Sequence, residues 1–273
     1  MLTRAELLVA YDAQLRARVP DRLPPGVEVE HDGPLVRLLG LRSGGFVGYR
    51  DLAGLAGPEL DALIARQVRA FAERGERFEW KLHEHDRPSD LPDRLRAAGL
   101  VPEAAETVMI GPAEAVGGPL TLGRELVMRE VVERADLDRI AELEEAVWGD
   151  DDGAASWLAD ALEAERAVDP QGLTIVVVEA GSDVICAGWV RFEGGSEFAT
   201  LWGGATLPAW RGRGIYRATV AYRAALATER GFRLIEVDAS ADSRPILERL
   251  GLVAVTTTTP YVWSPPSVRA VMA

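Results

Sequence analysis

A repeated pattern of residues is the feature that most constrains how this chain of 273 residues folds. The stretch "ERGERFEWKLHEHDRPSDLPDRLRAAGLV", which starts at Glu73, resembles "ERGFRLIEVDASADSRPILERLGLV", which starts at Glu229. Each stretch begins with Glu-Arg-Gly at the end of an amphipathic helix and continues into a strand and a turn rich in Ser, Asp and Pro. Each then closes a short helix with Leu-x-x-x-Gly-Leu-Val. We therefore expect two structurally related halves.

A segment rich in glycine, proline and other small residues lies between the two stretches. It reads "IGPAEAVGGPLTLGRE" and covers residues 110–125. Because this composition is typical of a linker, it predicts a domain boundary. We expect one domain over residues 1–115 and a second over residues 120–273.

The second half has the pattern of a mixed α/β sheet. Three successive strands read "LTIVVVEAG", "DVICAGWVRFE" and "EFATLWGGATL", and "GSD" between the first two indicates a hairpin. Antiparallel strands followed by βαβ units predict a mixed sheet flanked by helices. The other expected elements are a strand over 125–132, helices over 136–148 and 153–167, a helix over 214–230, a strand over 233–238, a helix over 243–250 and terminal strands to about Trp263.

Composition and charge exclude several classes of protein. The chain has 48% hydrophobic and 27% charged residues, as a globular protein with an ample core has. No apolar run reaches the length of a membrane span, and the first residues do not resemble a signal peptide. The single cysteine, Cys186, lies in an apolar run and indicates a buried thiol. We expect a cytoplasmic protein.

A formal charge of −13 argues against a nucleic-acid partner, which needs a basic surface. The acidity either aids solubility or favours a cationic substrate. The three histidines are His31, His83 and His85. An i, i+2 histidine pair without cysteine support is a weak metal signal, so we expect no metal site.

The stretch "LPAWRGRGIYRATV" combines glycines and arginines at the point where a strand leads into a helix. A helix that starts without a side-chain cap exposes backbone N–H groups at its positive end. Gly212 and Gly214 remove the Cβ atoms that would keep a phosphate away from those groups. Arg211, Arg213 and Arg217 add positive charge around them. The arrangement suits a diphosphate; the alternative is a plain turn between a strand and a helix that needs glycine for tight packing.

The same stretch resembles the acetyl-CoA signature of the GNAT superfamily of N-acetyltransferases, Arg/Gln-x-x-Gly-x-Gly/Ala. Arg211 matches its first position and Gly214 its fourth, and Pro208 gives the common Pro-x-x-Arg that leads into it. The order that follows also resembles the family: a helix, a strand, a short helix and then Gly251-Leu252. The resemblance covers residues 125–264.

The resemblance implies an α/β fold of two GNAT-like halves, each a mostly antiparallel central sheet flanked by helices. In the first half, "DLAGLAGPELDAL" has neither the arginines nor the Gly-x-Gly spacing. It therefore resembles a degenerate copy without the cofactor signature, so we expect one acetyl-CoA site per chain. The halves are expected to pack on each other as a pseudo-dimer within a monomer.

The resemblance also implies which residues bind the cosubstrate. Two segments are involved: a strand edge that pairs with the pantetheine arm, and the helix start whose N–H groups hold the pyrophosphate. The strand residues are Gly204, Ala205 and Thr206. The helix-start residues are Gly212, Arg213, Gly214, Ile215, Tyr216 and Arg217, with Arg211 at the edge of the site.

Transfer of an acetyl group to an amine requires a proton acceptor. The family commonly places a carboxylate on the strand before the signature, and Glu197 is the best-placed acid there, with Asp238 and Glu193 as rivals. Glu197 as a solvated hairpin residue is the competing interpretation. Four tryptophans either line an acceptor pocket or fill the core. They are Trp148, Trp157, Trp189 and Trp202.

Two departures from the family pattern bear on activity. Tyr216 stands where glycine or alanine is usual, and the short helix has Ser240 and Leu247 where the family often has asparagine and tyrosine. The usual donor of a proton to the leaving thiolate is therefore absent. The alternatives are Tyr216, another tyrosine (Tyr222 or Tyr261) and water.

Together, the motifs predict an N-acetyltransferase that moves an acetyl group from acetyl-CoA directly to a primary amine of a small molecule or peptide. The alternative is a catalytically silent acyl-CoA-binding or regulatory module with the same fold.

Overall fold

The computed structural model describes residues 2–118, 121–149 and 154–266. The described chain forms two compact units. Unit 1 is drawn from Met1–Val19, Pro25–Thr107 and Val255–Ala273. Unit 2 is drawn from Pro20–Pro24 and Val108–Ala254.

This division differs from the expected domains, 1–115 and 120–273, mainly at the end of the chain. The final strand belongs to unit 1 from Val255 onward. The reason is its pairing: residues from Thr258 to Trp263 lie antiparallel to the earlier strand that runs from Phe78 to His83.

Unit 1 is a mixed sheet with helices. Its sheet has the order β1-β2-β3-β4-β12, and β5 also pairs with β12; only β3 and β4 pair in parallel. Its helices are α1 (Arg4–Gln14), α2 (Gly57–Arg74) and α3 (Leu91–Ala97). Its strands are β1 (Glu28–Asp32), β2 (Leu35–Leu39), β3 (Gly45–Tyr49), β4 (Phe78–His83), β5 (Val101–Pro102) and the larger part of β12 (Val253–Trp263).

Unit 2 has a second mixed sheet, in the order β6-β11-β10-β9-β8-β7. Strands β7 to β10 are antiparallel neighbours, and β10 pairs with β11 in parallel. Its strands are β6 (Glu106–Pro112, from Val108), β7 (Leu126–Val131), β8 (Leu173–Ala180), β9 (Asp183–Phe192), β10 (Phe198–Thr206) and β11 (Leu234–Ala239). Its helices are α4 (Ala113–Val116), α5 (Arg134–Trp148), α6 (Ala154–Val168), α7 (Ile215–Glu229) and α8 (Arg244–Arg249).

The elements expected from the sequence of unit 2 are found, with ends that differ by one or two residues, and the mixed α/β class is confirmed. The expected helix over 153–167 begins at a residue outside the described chain. Strand β8 reads LTIVVVEA and is buried on both faces, as a β-branched run in a covered sheet should be.

The sheet of unit 2 has a different core on each face. On β9, successive side chains point to opposite faces. Trp189 packs in a core with residues of α5 and α6, whereas Val190 packs in a core with residues of α4, α7 and α8. Helices α5 and α6 therefore cover one face, and α7 covers the other.

The two units share the order strand, long helix, strand, short helix that the sequence repeat predicted. In unit 1, β3 and β4 pair in parallel only from Gly45 to Val47 on β3. In unit 2, β10 and β11 pair in parallel only from Phe198 to Thr200 on β10. In both, a long helix joins the parallel strands and a short helix follows the second strand.

Neither a membrane-spanning helix nor a metal cluster is found in the part of the chain that the structure describes. No helix there is long and apolar enough to cross a bilayer. No group of three or more His, Cys, Asp and Glu side chains there is arranged to hold a metal ion.

Candidate functional site

Strands β10 and β11 separate after three paired residues, which creates an opening in unit 2. The last pair joins Thr200 to Glu236. Within the described strands, β10 continues to Thr206 and β11 to Ala239 without further pairing to each other. One edge of β10 therefore has backbone groups available to an extended ligand, as in the addition of a strand to a sheet.

A β-bulge at Gly204 bends β10 beside this opening. Gly203 pairs with Gly188 and Ala205 with Ala187, so Gly204 is the extra residue. Gly203 and Gly204 have φ angles of +67° and +99°. A Cβ at Gly203 would lie 2.5 Å from the Trp189 ring, and one at Gly204 would lie 2.7 Å from the Tyr216 ring. Only glycine fits both positions.

Arg223 of α7 bonds to the carbonyl groups around the bulge. Its Nη1 donates to the backbone oxygens of Trp189, at 3.0 Å, and Trp202, at 2.9 Å, and its Nε donates to that of Thr219 at 3.0 Å. The residue is 1% exposed and has no carboxylate partner within the described chain. Burial lowers the pKa of this guanidinium. Arg223 thus stabilises the backbone shape that the bulge imposes.

The start of α7 has a row of backbone N–H groups without partners. Its N-cap residue, Gly214, provides no side-chain cap, and the first hydrogen bond runs from the Ala218 N–H to the Gly214 carbonyl. In the described chain, no N–H group from Gly212 to Arg217 donates a hydrogen bond. The positive end of the helix dipole lies at the same place, so these groups suit an anion.

Gly212 and Gly214 leave open space in front of these N–H groups. Their φ angles are +76° and +78°, which favour glycine. A Cβ at Gly212 would meet no atom within 4 Å, and one at Gly214 would meet only the Arg217 Nη2 at 3.7 Å. Packing within the chain therefore does not fill this space. This open space and the N–H groups without partners suit an anion such as a phosphate group.

The arginines of the signature are exposed around this space. Arg211 donates from Nε to the Thr206 carbonyl at 3.1 Å, which links the helix start to the end of β10. Arg213 lies over the Trp210 ring, 4.6 Å from its centroid. The third, Arg217, lies next to Gly214. These positions keep positive charge beside the helix start.

The next two signature residues fix α7 to the sheet. Ile215 is buried in a core with Ile185 and Cys186, and so holds the first turn of the helix in place. Tyr216 lies with its ring against Gly204, and Ser243 at the start of α8 is near enough to the phenol to lower its pKa. Burial raises the pKa of the Tyr216 phenol. The ring therefore reaches from the bulge of β10 to the start of α8.

The acidic residues predicted from the sequence lie at different ends of the opening. Asp238 is on β11, two residues beyond the last pair with β10, and therefore beside the opening. Glu197 lies just before β10, at the closed end of the pair, in an ion pair with Arg233. At roughly 3.3 Å per residue, it is about 20 Å along the strand from Gly203. The strand pairing thus places Asp238 at the open end and Glu197 at the closed end.

The third acid considered, Glu193, lies in the turn before β10. Its carboxylate accepts a hydrogen bond from the Thr200 Oγ1 at 3.0 Å, and Thr200 belongs to the last residue pair before the opening. Thr200 Oγ1 also accepts a hydrogen bond from the Trp202 indole at 2.8 Å. Glu193 is therefore part of a polar group at the apex of the opening.

Glu144 on α5 is a carboxyl group that the sequence analysis did not identify. It follows Leu137, Ile140 and Ala141 at helical spacing, and therefore lies on the apolar side of α5, which packs against β9 and β10. Its Oε1 is buried and has no hydrogen-bond partner in the described chain. Burial raises its pKa to about 7, although a hydrogen bond from Trp148 opposes this. The sequence signal that could have identified Glu144 is a charged residue within the apolar stripe of a helix.

Replacing Glu144 with glutamine is expected to flatten the dependence of stability on pH. Because its pKa is higher in the folded chain than in the unfolded one, Glu144 stabilises the fold fully below about pH 4.5, and this contribution is lost as the pH rises through 7. The loss amounts to roughly 3 kcal/mol at most. Chemical denaturation at pH 5 and pH 8 should show Glu144→Gln gaining stability over the unmutated protein at pH 8 only.

The neighbouring exposed residue provides a control for this experiment. Glu145→Gln changes the same charge on the same helix without changing the buried group. It should leave the difference between the two pH values as it is in the unmutated protein. An equal effect of both substitutions would show that net charge, and not burial of Glu144, causes the pH dependence.

The four tryptophans have different environments. Trp189 is buried in the core under α5 and α6, whereas Trp202 is 44% exposed, with the Arg191 guanidinium 4.5 Å from its ring centroid. Trp157 is half-buried and Trp148 is exposed. Trp189 is therefore a core residue, as one interpretation of the sequence predicted. Trp202 remains available to line a pocket beside the bulge.

In unit 1, the residues beyond the corresponding separation of strands form a buried polar cluster. Asp86 accepts hydrogen bonds from the Arg16 guanidinium at 2.5 Å, the Tyr49 hydroxyl at 2.5 Å and the His83 N–H at 2.8 Å. Burial opposes ionisation, but these bonds and the Arg16 charge lower the pKa of Asp86 to about 2. The Tyr11 hydroxyl and the His83 ring are hydrogen-bonded at 3.0 Å.

This cluster accounts for the histidine pair noted in the sequence. His83 is buried within the cluster, and His85 is half-buried and lies 3.1 Å from the Asp12 carboxylate. Helix α2 of this unit begins without a side-chain cap but has Pro58 in its first turn, which provides no N–H group. The first turn of α2 therefore has one N–H group fewer to offer an anion than the first turn of α7.

Comparison with solved structures relates this architecture to a known fold. A GCN5-related N-acetyltransferase from Kribbella flavida has 16% sequence identity and a TM-score of 0.65, with 97% of this chain and 96% of that chain covered. A tandem GNAT protein from the clavulanic acid biosynthesis pathway has 14% identity and a TM-score of 0.63, with 96% and 94% covered. A conserved protein of unknown function from Staphylococcus epidermidis has 12% identity and a TM-score of 0.66, with 90% and 96% covered.

No protein-family model and no curated protein matches the sequence. The relation is therefore one of fold and not of close sequence. The chain has the GNAT fold in its tandem form, as the repeated sequence pattern and the signature predicted.

Proposed function

We propose that the chain is an N-acetyltransferase that transfers the acetyl group of acetyl-CoA to a primary amine of a small molecule or peptide. One observation carries this proposal: the open edge of β10 at Gly204 lies at one end of a segment whose other end is the uncapped start of α7. An extended chain ending in a diphosphate matches that combination of a strand edge and an anion site.

Each part of the site has a role in this proposal. The N–H groups from Gly212 to Arg217 hold the pyrophosphate, with Arg211 at the edge, and the backbone of Gly204, Ala205 and Thr206 pairs with the pantetheine arm. When bound, acetyl-CoA supplies the acetyl group as an activated thioester. Backbone N–H groups beside the bulge polarise its carbonyl group. Asp238 accepts the proton that the amine releases.

Replacing Asp238 with asparagine should lower kcat by roughly 100-fold and leave the Kd of acetyl-CoA nearly unchanged. Asparagine keeps the size of the side chain but accepts no proton at neutral pH. Glu197→Gln is the matched comparison, because Glu197 lies at the closed end of β10 in its ion pair with Arg233. If steady-state kinetics showed a larger loss of kcat for Glu197→Gln than for Asp238→Asn, Glu197 and not Asp238 would be the proton acceptor.

A silent acyl-CoA-binding module is the second candidate, and one observation favours it. Leu247 stands where the family often has tyrosine, and its side chain is fully buried and has no proton to donate. Calorimetry with acetyl-CoA, followed by a thiol assay for released CoA over a panel of amines, separates the two. One binding site per chain with release of CoA supports the enzyme, and binding without release for any amine supports the module.

A further inference from the structure

A row of α7 side chains faces the bulge of β10. Tyr216, Thr219 and Arg223 are spaced by three and four residues, which places them on one face of the helix. The Tyr216 ring lies against Gly204, and Arg223 donates a hydrogen bond to the Trp202 carbonyl. The Thr219 hydroxyl donates to the Tyr216 carbonyl at 2.8 Å. This row fixes the phenol ring relative to the strand edge.

The ring also packs against the core that contains Leu247, the residue that replaces the usual tyrosine. Leu247 of α8 is 0% exposed and belongs to the core against which Tyr216 packs. Ser243, at the start of the same short helix, is near enough to the Tyr216 phenol to lower its pKa. Tyr216 of α7 therefore places a phenol in the region where the family pattern has the tyrosine of α8.

The other two candidate tyrosines lie elsewhere. The Tyr222 hydroxyl donates to the Glu130 Oε1 at 2.9 Å on the exposed side of α7. Tyr261 is buried in the core of unit 1. Of the three tyrosines, Tyr216 is the one in contact with the bulge.

We propose that Tyr216 is the proton donor to the leaving sulfur in the acetyl transfer; this inference rests on the proposed function. The amine nitrogen forms a bond to the acetyl carbon while the carbon–sulfur bond breaks and its electron pair moves to sulfur. Sulfur takes the phenolic proton, and the proton of the amine passes to Asp238. Asp238 then releases that proton to water and Tyr216 takes one up from water, so that both groups return to their starting states. The products are the acetylated amine and CoA with a free thiol.

The surroundings of Tyr216 fit a donor of this kind. Burial keeps the phenol protonated, since it raises the pKa, while the positive charge of Arg223 and the nearby Ser243 favour the phenolate that forms when the proton leaves. Arg223 is suited to this because its guanidinium is buried and bonds only to backbone carbonyls in the described chain. Its charge is therefore not neutralised by a nearby carboxylate.

The test compares CoA with desulfo-CoA, in which hydrogen replaces the thiol. If the phenol contacts sulfur, the unmutated protein should bind CoA roughly 3- to 10-fold more tightly than desulfo-CoA by calorimetry. Tyr216→Phe should bind both equally and should lower kcat by about 10- to 100-fold with little change in the KM of acetyl-CoA. Tyr222→Phe, on the same helix, is the control and should behave as the unmutated protein in both assays.

The outcomes separate this inference from the proposed function. Tyr216→Phe that keeps full kcat and the preference for CoA overturns the inference and leaves the acetyltransferase proposal intact. An unmutated protein that binds CoA but acetylates no amine contradicts the function itself. Circular dichroism should show that Tyr216→Phe is folded, since the ring against Gly204 is retained.

Discussion

Replacing Gly214 with valine is expected to abolish the binding of CoA and acetyl-CoA. The valine side chain would enter the space in front of the N–H groups from Gly212 to Arg217, where a Cβ now meets only Arg217. Loss of two or more hydrogen bonds to a charged phosphate should weaken binding by at least about 100-fold. Calorimetric titration with each ligand measures the change directly.

A control is required because valine is strained at the φ of +78° that Gly214 adopts. Gly231 follows the other end of α7, with a φ of +84° and nothing within 4 Å of an added Cβ. Gly231→Val therefore imposes similar strain without affecting the candidate site. Equal loss of binding in both variants would assign the effect to strain on the helix. Normal binding by Gly214→Val would rule out the phosphate site.

The parts of the fold that sequence could predict are those set by local patterns. The repeat of Glu-Arg-Gly and Leu-x-x-x-Gly-Leu-Val predicted the related arrangement of strands and helices in both units, since each motif marks a helix end. The combination of Gly212, Gly214 and Arg211 predicted the uncapped start of α7. These features depend on residues that are close in the chain.

The parts that could not be predicted depend on pairing between distant segments. Residues from Thr258 onward pair with β4 in unit 1, and no pattern in their own sequence states this partner. The bulge at Gly204 also depends on a distant segment. The glycine pair indicated a close approach of the backbone to another group, but the register shift at Gly204 is set by the pairing of β10 with β9. Domain boundaries drawn along the chain therefore differ from the compact units.

The choice between candidate acids shows the same limit. Glu197 precedes β10, the strand that leads to the signature, but position along a strand does not tell which end separates from its neighbour. Three residue pairs between β10 and β11 determine this, and they place Asp238 beside the opening. Glu144 was not identified from a motif, because what sets it apart is its position on the apolar side of α5.

Replacing Asp86 with asparagine should lower the free energy of unfolding by up to about 3–5 kcal/mol, because the buried Arg16 charge loses its closer carboxylate partner and keeps only Asp12 among the described residues, at 3.5 Å. Both side chains of this ion pair are almost fully buried, and the Tyr49 hydroxyl and the His83 N–H also bond to the carboxylate. Chemical denaturation at pH 7 measures the loss. Asp90→Asn, which breaks an exposed ion pair with Arg94, should have a much smaller effect.

The dependence on pH distinguishes loss of this charge from a general packing defect. The pKa of Asp86 is about 2 in the folded chain, below its ordinary value of 3.8. Its ionised form therefore stabilises the fold fully above about pH 4, and this contribution is lost as the pH falls towards 2. The difference in stability between the unmutated protein and Asp86→Asn should shrink between pH 5 and pH 3. A difference that stays constant over this range would mean that shape, and not the carboxylate charge, makes Asp86 important.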